Sequence, residues 1–404
     1  MTRIRPWVCG LFPALLIACG DRGDTIPQAR VRDSAGVRIV ENTDGIWQQG
    51  DAWSVGQAAR LDIGSAEGDP AQQLFGVVGA ARLPDGHVVV ANAGSQELLF
   101  FDAAGNRLFA AGRKGGGPGE FQTITWMHLR GDSLLVFDRR AGVLSVFGLD
   151  GRFGRSARVP GYLYGVFSGG TGLATTSQLV RPEDLKSGWM RPQAILVRYA
   201  ADGQSSDTIG TTAGQESYVR IGEGTIQIMR LPFSRMTWNL VRENRFYMAD
   251  NDTYRIDIFG ADGVLQTSIR KSSKNLVATE ADLEAYIETR LRDAGDDERR
   301  RQSAQALRNF PMPETLPAFG WNRTGRTPPV LIDDTDHLWV LEYNRPGDEE
   351  YRWSVFDPEG GLLGEVVFPV VLEPMHIGND FVLGKWRDGF DVEHVRLYDL
   401  IKPR

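Results

Sequence analysis

A short phrase returns six times along this 404-residue chain: alternating apolar residues, an aromatic, small or acidic residues, then Asp-Gly or a substitute. The copies are marked by Phe101, Phe147, Tyr199, Phe259, Phe356 and Tyr398; the first reads Leu99-Phe100-Phe101-Asp102-Ala103-Ala104-Gly105. Repetition at this period marks solenoids, propellers and arrays. Each copy predicts a strand entering a tight turn, because glycine supplies the positive φ that such turns need. A partner strand precedes each copy behind another turn: residues 87–92 follow Asp85-Gly86, and residues 337–342 follow Asp333-Asp334-Thr335-Asp336. One more apolar stretch lies before that turn (77–83, 124–129), and an outer strand follows the aromatic phrase (107–111, 265–270).

Four short antiparallel strands per unit leave two apolar faces, and stacking units side by side covers both. The fold class expected is all-β: a six-bladed β-propeller of four-stranded antiparallel blades. The last unit stops at Arg404, with no room for an outer strand. Ala59-Arg60-Leu61-Asp62-Ile63-Gly64 is similar to the outer strand Arg107-Leu108-Phe109-Ala110-Ala111-Gly112. An N-terminal strand is therefore expected to close the last blade. The marking aromatics are 46, 52, 60, 97 and 42 residues apart, and the gap of 97 holds an insertion. Thr279-Glu280-Ala281-Asp282 fits a capping box, and Leu283, Ile287 and Leu291 follow on one helical face. A second helix is expected over about 296–309, after Gly295 and before Pro311 and Pro313. The pair reads equally as a side decoration or as a lid.

The first residues form an address. Arg3 and Arg5 precede a short apolar run, Val8 to Ile17, too short to span a bilayer. The run ends in Leu16-Ile17-Ala18-Cys19-Gly20, which resembles the bacterial lipobox, with Cys19 as the lipidated residue. The expected organisation is a signal peptide over 1–18, a tether over 19–33 and a propeller over 34–404, with the helical insertion at about 279–309. Cys9 and Cys19 are the only cysteines, so no disulfide is expected after cleavage. The expected place is the bacterial cell envelope, with the membrane as partner through the lipid. A net charge of −7 and no dense basic run exclude nucleic acid as an expected partner.

Ala249-Asp250-Asn251-Asp252-Thr253-Tyr254-Arg255-Ile256-Asp257-Ile258-Phe259 is similar to the NHL repeat, with Asn92 and Asp138 where Asp250 stands. Gly115-Gly116-Gly117-Pro118-Gly119-Glu120-Phe121 and the closing Val382-Leu383-Gly384-Lys385-Trp386-Arg387-Asp388 resemble bacterial six-bladed propeller lipoproteins. The resemblance covers roughly 34–404 and departs at the polar stretch Thr175 to Pro192. It implies the fold and the anchor, and says little of function, since propellers host binding scaffolds and enzymes alike.

The chemistry-bearing patterns are sparse. The Gly115–Gly119 run lacks a Gly-Lys-Ser/Thr ending and a following helix, so it reads as an inter-blade turn with Glu120 and Phe121 docking the next blade. The five histidines are scattered without metal-ligand spacing. Asp333-Asp334-Thr335-Asp336 has calcium-like oxygens but falls in a turn. No Gly-x-Ser-x-Gly elbow is present. No cofactor, metal or catalytic residue is expected. Tyr343, Arg345, Trp386 and Arg387 follow the second strands of the last two blades, and aromatic and guanidinium groups there could capture a ligand. The expected function is a binding module for a protein, peptide or glycan. The alternative is a metal-dependent, lactonase-like hydrolase or lyase with its site in the central channel.

Overall fold

The computed structural model describes residues 29–48, 50–64, 73–159, 161–177, 185–200, 205–222, 225–229, 232–273, 276–291, 297–309, 311–320, 328–346, 348, 350–369 and 372–403. Cys9, Cys19 and the predicted signal peptide lie outside them. The repeat becomes six antiparallel meanders. The first sheet holds β4 (Val77–Arg82), β5 (Val88–Asn92), β6 (Glu97–Phe101) and β7 (Arg107–Ala111), and the second β8 (Ile124–Arg130), β9 (Ser133–Asp138), β10 (Val143–Gly148) and β11 (Phe153–Arg158). The third holds β12 (Tyr162–Val166), β13 (Gly172–Ser177), β15 (Gln193–Tyr199) and β16 (Ser206–Ala213). The fourth holds β19 (Thr237–Arg242), β20 (Arg245–Asp250), β21 (Arg255–Gly260) and β22 (Leu265–Lys271). The fifth holds β23 (Val330–Ile332), β24 (Leu338–Leu341), β25 (Glu350–Phe356) and β26 (Leu362–Pro369); the sixth begins with β27 (Glu373–Ile377), β28 (Phe381–Arg387) and β29 (Glu393–Ile401).

The fourth strand of the sixth sheet comes from the other end of the chain. Strand β3 (Ser54–Ile63) pairs antiparallel with β29, Leu61 opposite Leu397 and Ile63 opposite Val395. The segment expected to lie there does so, but the N-terminal chain covers more than that. A hairpin of β1 (Arg30–Ser34) and β2 (Val37–Asn42) adds to the outer edge of the fourth sheet, with β2 parallel to β22. Trp47 N–H then donates to Leu363 O on β26 (2.9 Å). The Asn42 side chain fixes the crossing: it donates to Gly360 O (3.0 Å) and Arg270 O (3.1 Å) and accepts from Leu362 N–H (2.8 Å). Residues 30–63 thus run as a strap along the outer edges of the fourth, fifth and sixth sheets.

Six apolar clusters join the sheets in pairs, in sequence order. Phe100 meets Phe147, Phe137 meets Leu163, and Leu173 meets Phe246. Ile256 meets Val340, and Trp353 meets Val382. The last cluster joins Leu61, Ile63 and Leu383 to Val88, Val90 and Phe101 of the first sheet. The repeated glycines explain the joints. Gly105, Gly151, Gly263 and Gly360 all have φ between 76° and 90°. A Cβ at Gly151 would lie 2.7 Å from Phe109 on the preceding outer strand; at Gly360, 2.8 Å from Ile269; at Gly105, 3.0 Å from Leu61 on β3. Each turn therefore needs glycine twice, for its left-handed backbone and for close approach to the preceding sheet. Strand β3 fills the same place against the first sheet that β7 and β22 fill against theirs.

Two additions interrupt the pattern. Strands β14 (Gly188–Met190), β17 (Ser217–Gly222) and β18 (Thr225–Met229) form a small sheet of their own. Helices α1 (Glu280–Leu291) and α2 (Asp297–Arg308) lie between the fourth and fifth sheets in sequence. The capping box is reciprocal: Thr279 N–H donates to Asp282 Oδ2 (2.9 Å) and Asp282 N–H to Thr279 Oγ1 (3.3 Å). Leu283 and Ile287 are buried as the pattern predicted. Among the described residues no helix is long and apolar enough to cross a membrane.

Candidate functional site: the loop end

The two ends of the inner strands are built differently. At one end the strand tips are stitched sheet to sheet. Arg130 donates to Val166 O (3.1 Å) and Phe167 O (2.9 Å), and Ser168 N–H to Glu243 O (3.0 Å). Arg242 reaches Asp336 (2.9 Å) and Asp333 O (3.3 Å). Asp334 N–H donates to Ile377 O (3.0 Å), and Arg82 N–H donates to His376 Nδ1 (3.1 Å), leaving Nε2 to face Asp334 (3.0 Å). These contacts run from the second sheet through the sixth to the first. Asp333, the start of the calcium-like cluster, accepts from Thr335, His337 and Trp339 and so organises its own turn. Burial works against its charge, but the hydrogen bonds from His337 and Trp339 hold its carboxyl below the usual range.

Strand alternation sends the loops after the second strands, and the links between sheets, to the opposite end. Here side chains catch the incoming backbone. Asn92 accepts from Phe75 N–H (2.8 Å), Asp138 from Gln122 N–H (2.5 Å) and Asn251 from Met236 N–H (2.8 Å). In register Asp250 does match Asn92 and Asp138, since each opposes the first residue of its inner strand. The catching duty has passed to Asn251, because Asp250 pairs with Arg191 (2.8 Å). The glycine run is a turn: Glu120 accepts from Gly116 N–H (3.0 Å) and Gly117 N–H (2.8 Å), while Phe121 is buried between the first two sheets. Only Phe121 docks there; Glu120 closes its own turn, and its carboxylate occupies the amides that a phosphate would need.

The four residues singled out as ligand-binding fall into two pairs. Arg345 forms an ion pair with Asp282 in the first turn of α1. The Tyr343 hydroxyl is buried with no hydrogen-bond partner among the described residues; burial, and then the charge of Asp282, push its pKa upward. In the sixth sheet, the Arg396 guanidinium lies 3.3 Å from the centre of the Trp386 ring, with His394 edge-on at 5.1 Å. Arg396 and His394 both bind Asp62 on β3, at 2.6 Å and 2.8 Å. Trp386 therefore sits on the clasp of the strap. Arg387 pairs with Asp391 (2.8 Å) and Glu393 (2.7 Å). Among the described residues no hydrogen bond, ion pair or ring contact joins one pair to the other.

Sequence reasoning missed the buried charges beside Arg387. Lys385 is 1% exposed and binds Glu373 on the innermost strand at 3.1 Å. Glu393 also accepts from Val77 N–H of the first sheet (2.7 Å). The available signal was a lysine inside the otherwise apolar Phe381-Val382-Leu383-Gly384-Lys385 strand. His128, on the inner strand β8, stacks on Trp126 at 4.4 Å. The residue is exposed, and the desolvation of its ring by neighbouring protein lowers its pKa to about 4. Among the described residues no group of three or more His, Cys, Asp or Glu could hold a metal ion.

Two exposed aromatic side chains stand at the loop end. Phe75 and Phe390 are 75% and 91% exposed. They belong to adjoining sheets, since Leu74 bridges to Glu393. No protein-family model and no curated protein matches the chain. Among solved structures, a putative exported protein from Bacteroides fragilis shares 11% identity at a TM-score of 0.48, over 90% of this chain and 100% of that one. A member of the DUF4221 family from Bacteroides vulgatus shares 9% identity at 0.49, over 87% and 99%. A gluconolactonase from Xanthomonas campestris shares 11% identity at 0.38, over 86% and 100%.

Proposed function

We propose that the six sheets close into a six-bladed β-propeller, tethered at the bacterial cell envelope by a lipid on Cys19, that binds a protein, peptide or glycan at its loop end. The observation that supports this is the asymmetry of the two ends. At one end Arg130, Arg242 and Asp334 tie neighbouring inner-strand tips together; at the other, where Glu393 also bonds Val77 of the first sheet, the exposed aromatics Phe75 and Phe390 stand. Exposed large aromatic side chains are candidate anchors for an interaction surface. Tyr343, Arg345, Trp386 and Arg387 are the proposed ligand-binding residues of this end. Arg387 could take an anionic group only by exchanging the more exposed Asp391, its partner at 2.8 Å. The alternative, a metal-dependent hydrolase or lyase in the channel, would draw on His128 of the inner strand β8, an exposed imidazole stacked on Trp126. The test is quantitative capture of envelope partners by the lipidated protein and three variants. Phe75→Asp and Phe390→Asp should lose capture. Val264→Asp, at an exposed turn of the stitched end, should retain it. Loss with Val264→Asp but not with the other two contradicts the reading. For the anchor, Cys19→Ala should release the protein from membranes; retention after detergent-free washing contradicts it.

A further inference from the structure

The helical insertion stands on a narrow neck. Val277 bridges to Thr315, Ala278 N–H donates to Glu314 O (3.2 Å), and Leu316 N–H donates to Leu276 O (2.8 Å). Beyond that neck little is buried. Asp282, Leu283 and Ile287 are the buried residues of α1, and among the described side chains of α2 none is buried. Arg308 joins the two helices by donating to Glu284 at 2.7 Å and 2.6 Å. A segment with few buried apolar contacts opens at a lower free energy than the core it stands on. Helix α1 meets the loop after β24 at Arg345, which pairs with Asp282. It meets the segment leading into β19 at Phe233, whose ring lies 5.6 Å from that of Tyr286.

Each contact carries a cost. Phe233 has a φ of 63°, in the left-handed region that a bulky side chain occupies only where its surroundings force it. Beside Asp282, the Tyr343 hydroxyl is buried without a hydrogen-bond partner among the described residues, which costs its lost hydration. The Asp282 carboxylate offsets these costs. One oxygen accepts from Thr279 N–H (2.9 Å) and the Thr279 hydroxyl (2.6 Å), which caps α1, and the other accepts from Arg345.

We propose that α1 and α2 form a lid, latched shut by the Arg345–Asp282 ion pair, that lifts on its neck to free the Arg345 guanidinium and admit solvent to the Tyr343 hydroxyl. Closed, the carboxylate of Asp282 fills the place that an anionic group of a ligand would take on Arg345. Open, the Tyr343 hydroxyl gains water and Phe233 can leave its left-handed backbone, so opening recovers part of what the lost ion pair gives up. What the opening is for rests on the reading of Tyr343 and Arg345 as ligand-binding residues; the opening itself does not.

The experiment is nitration of tyrosines in the full chain by tetranitromethane, followed residue by residue by mass spectrometry. Asp282→Asn keeps an oxygen for Thr279 N–H but turns an amide toward Arg345, so the cap stays and the latch goes. Tyr343 should then react about tenfold faster than in the unaltered chain, as one buried hydroxyl regaining water would give. Tyr286→Ala, which leaves the ion pair in place, should also speed it, by less. Tyr398, 7% exposed in the sixth sheet, should keep its rate in both variants. An unchanged rate at Tyr343 in both variants overturns the lid. So does an equal rise at Tyr398, which would mean general loosening. If circular dichroism shows that Asp282→Asn loses helix, Tyr286→Ala decides the outcome. Capture of envelope partners separates the two readings. Faster nitration of Tyr343 with raised capture supports both, whereas faster nitration with unchanged capture keeps the lid and contradicts ligand binding at Arg345.

Discussion

The fourth, fifth and sixth sheets and the first, second and third carry the same repeat, yet their outer edges are treated differently. In the former, residues 30–63 lie along the edge: β2 pairs with β22, Trp47 crosses at Leu363, and β3 pairs with β29. Ile269 of β22 is buried as a result. In the latter, β7, β11 and β16 end their sheets, and Leu108 and Phe109 on β7 remain exposed. The strap acts differently at each sheet: β2 pairs along the outer strand of the fourth, the chain crosses the fifth at Leu362 and Leu363, and β3 is itself the outer strand of the sixth. The strap also does what no side chain can: it ties the chain's beginning to its end.

This difference can be broken most severely by removing the strap. Deleting residues 34–64 takes away Val40, Leu61 and Ile63 from the core and strips Trp47 and Trp53 from the fifth–sixth cluster. At about 1.5–3 kcal/mol per large apolar side chain, the loss approaches the whole stability of a folded domain, about 5–15 kcal/mol. The deletion should not melt cooperatively by circular dichroism, and near-normal melting would show that the strap is decoration. Next comes Lys385→Met, which breaks the buried ion pair between Lys385 and Glu373. The expected loss is about 3–5 kcal/mol in urea unfolding. Asn42→Ala strands three backbone groups between the fourth and fifth sheets and should cost about 2–3 kcal/mol. On the bare side the effects shrink. Phe109→Ala removes a ring stacked on Phe100 at 4.4 Å, and about 1 kcal/mol is expected. If Phe109→Ala costs more than Asn42→Ala, the halves do not differ as described.

The smallest expected effect is one of pH, also on the bare side. His128 takes up its proton at about 4 when folded and near the ordinary 6.5 when unfolded. Between those values the unfolded chain holds more protons, so stability falls as pH is lowered from about 6.5 toward 4. Solvent at the ring keeps the effect modest. His128→Gln should flatten the slope of urea midpoint against pH relative to the unaltered chain; an unchanged slope assigns the acid sensitivity elsewhere.

How far the sequence could be read depends on whether a feature repeats. The third strands and their glycine turns recur, so Phe101, Phe147, Phe259 and Phe356 all lie in or at the end of predicted strands, with Gly105, Gly151, Gly263 and Gly360 at positive φ. The helix start at Thr279 was legible because a capping box is local. Strand β3 was legible only because Ala59–Gly64 resembles another outer strand. The rest of the strap was missed: Val37–Asn42 alternates as a strand should, but nothing local says that it pairs with β22, some 230 residues away. The small sheet was missed for the same reason, since β14 and β17 are joined across an intervening strand pair. Of the candidate site, aromatic and guanidinium residues at the loop ends could be named, but not their partners. Asp62 beneath Arg396 and Asp282 beside Arg345 are contacts between distant segments.

Hydrogen–deuterium exchange of the intact chain tests the strap most directly. If β3 is the fourth strand of the sixth sheet and closes the propeller, its amides from Leu61 to Ile63 should exchange as slowly as those of β28 and β29. All three strands should then open together, only in the global unfolding event. Fast exchange of β3 while β28 and β29 stay protected would contradict the account, because it would mean that the ring holds without its N-terminal strand.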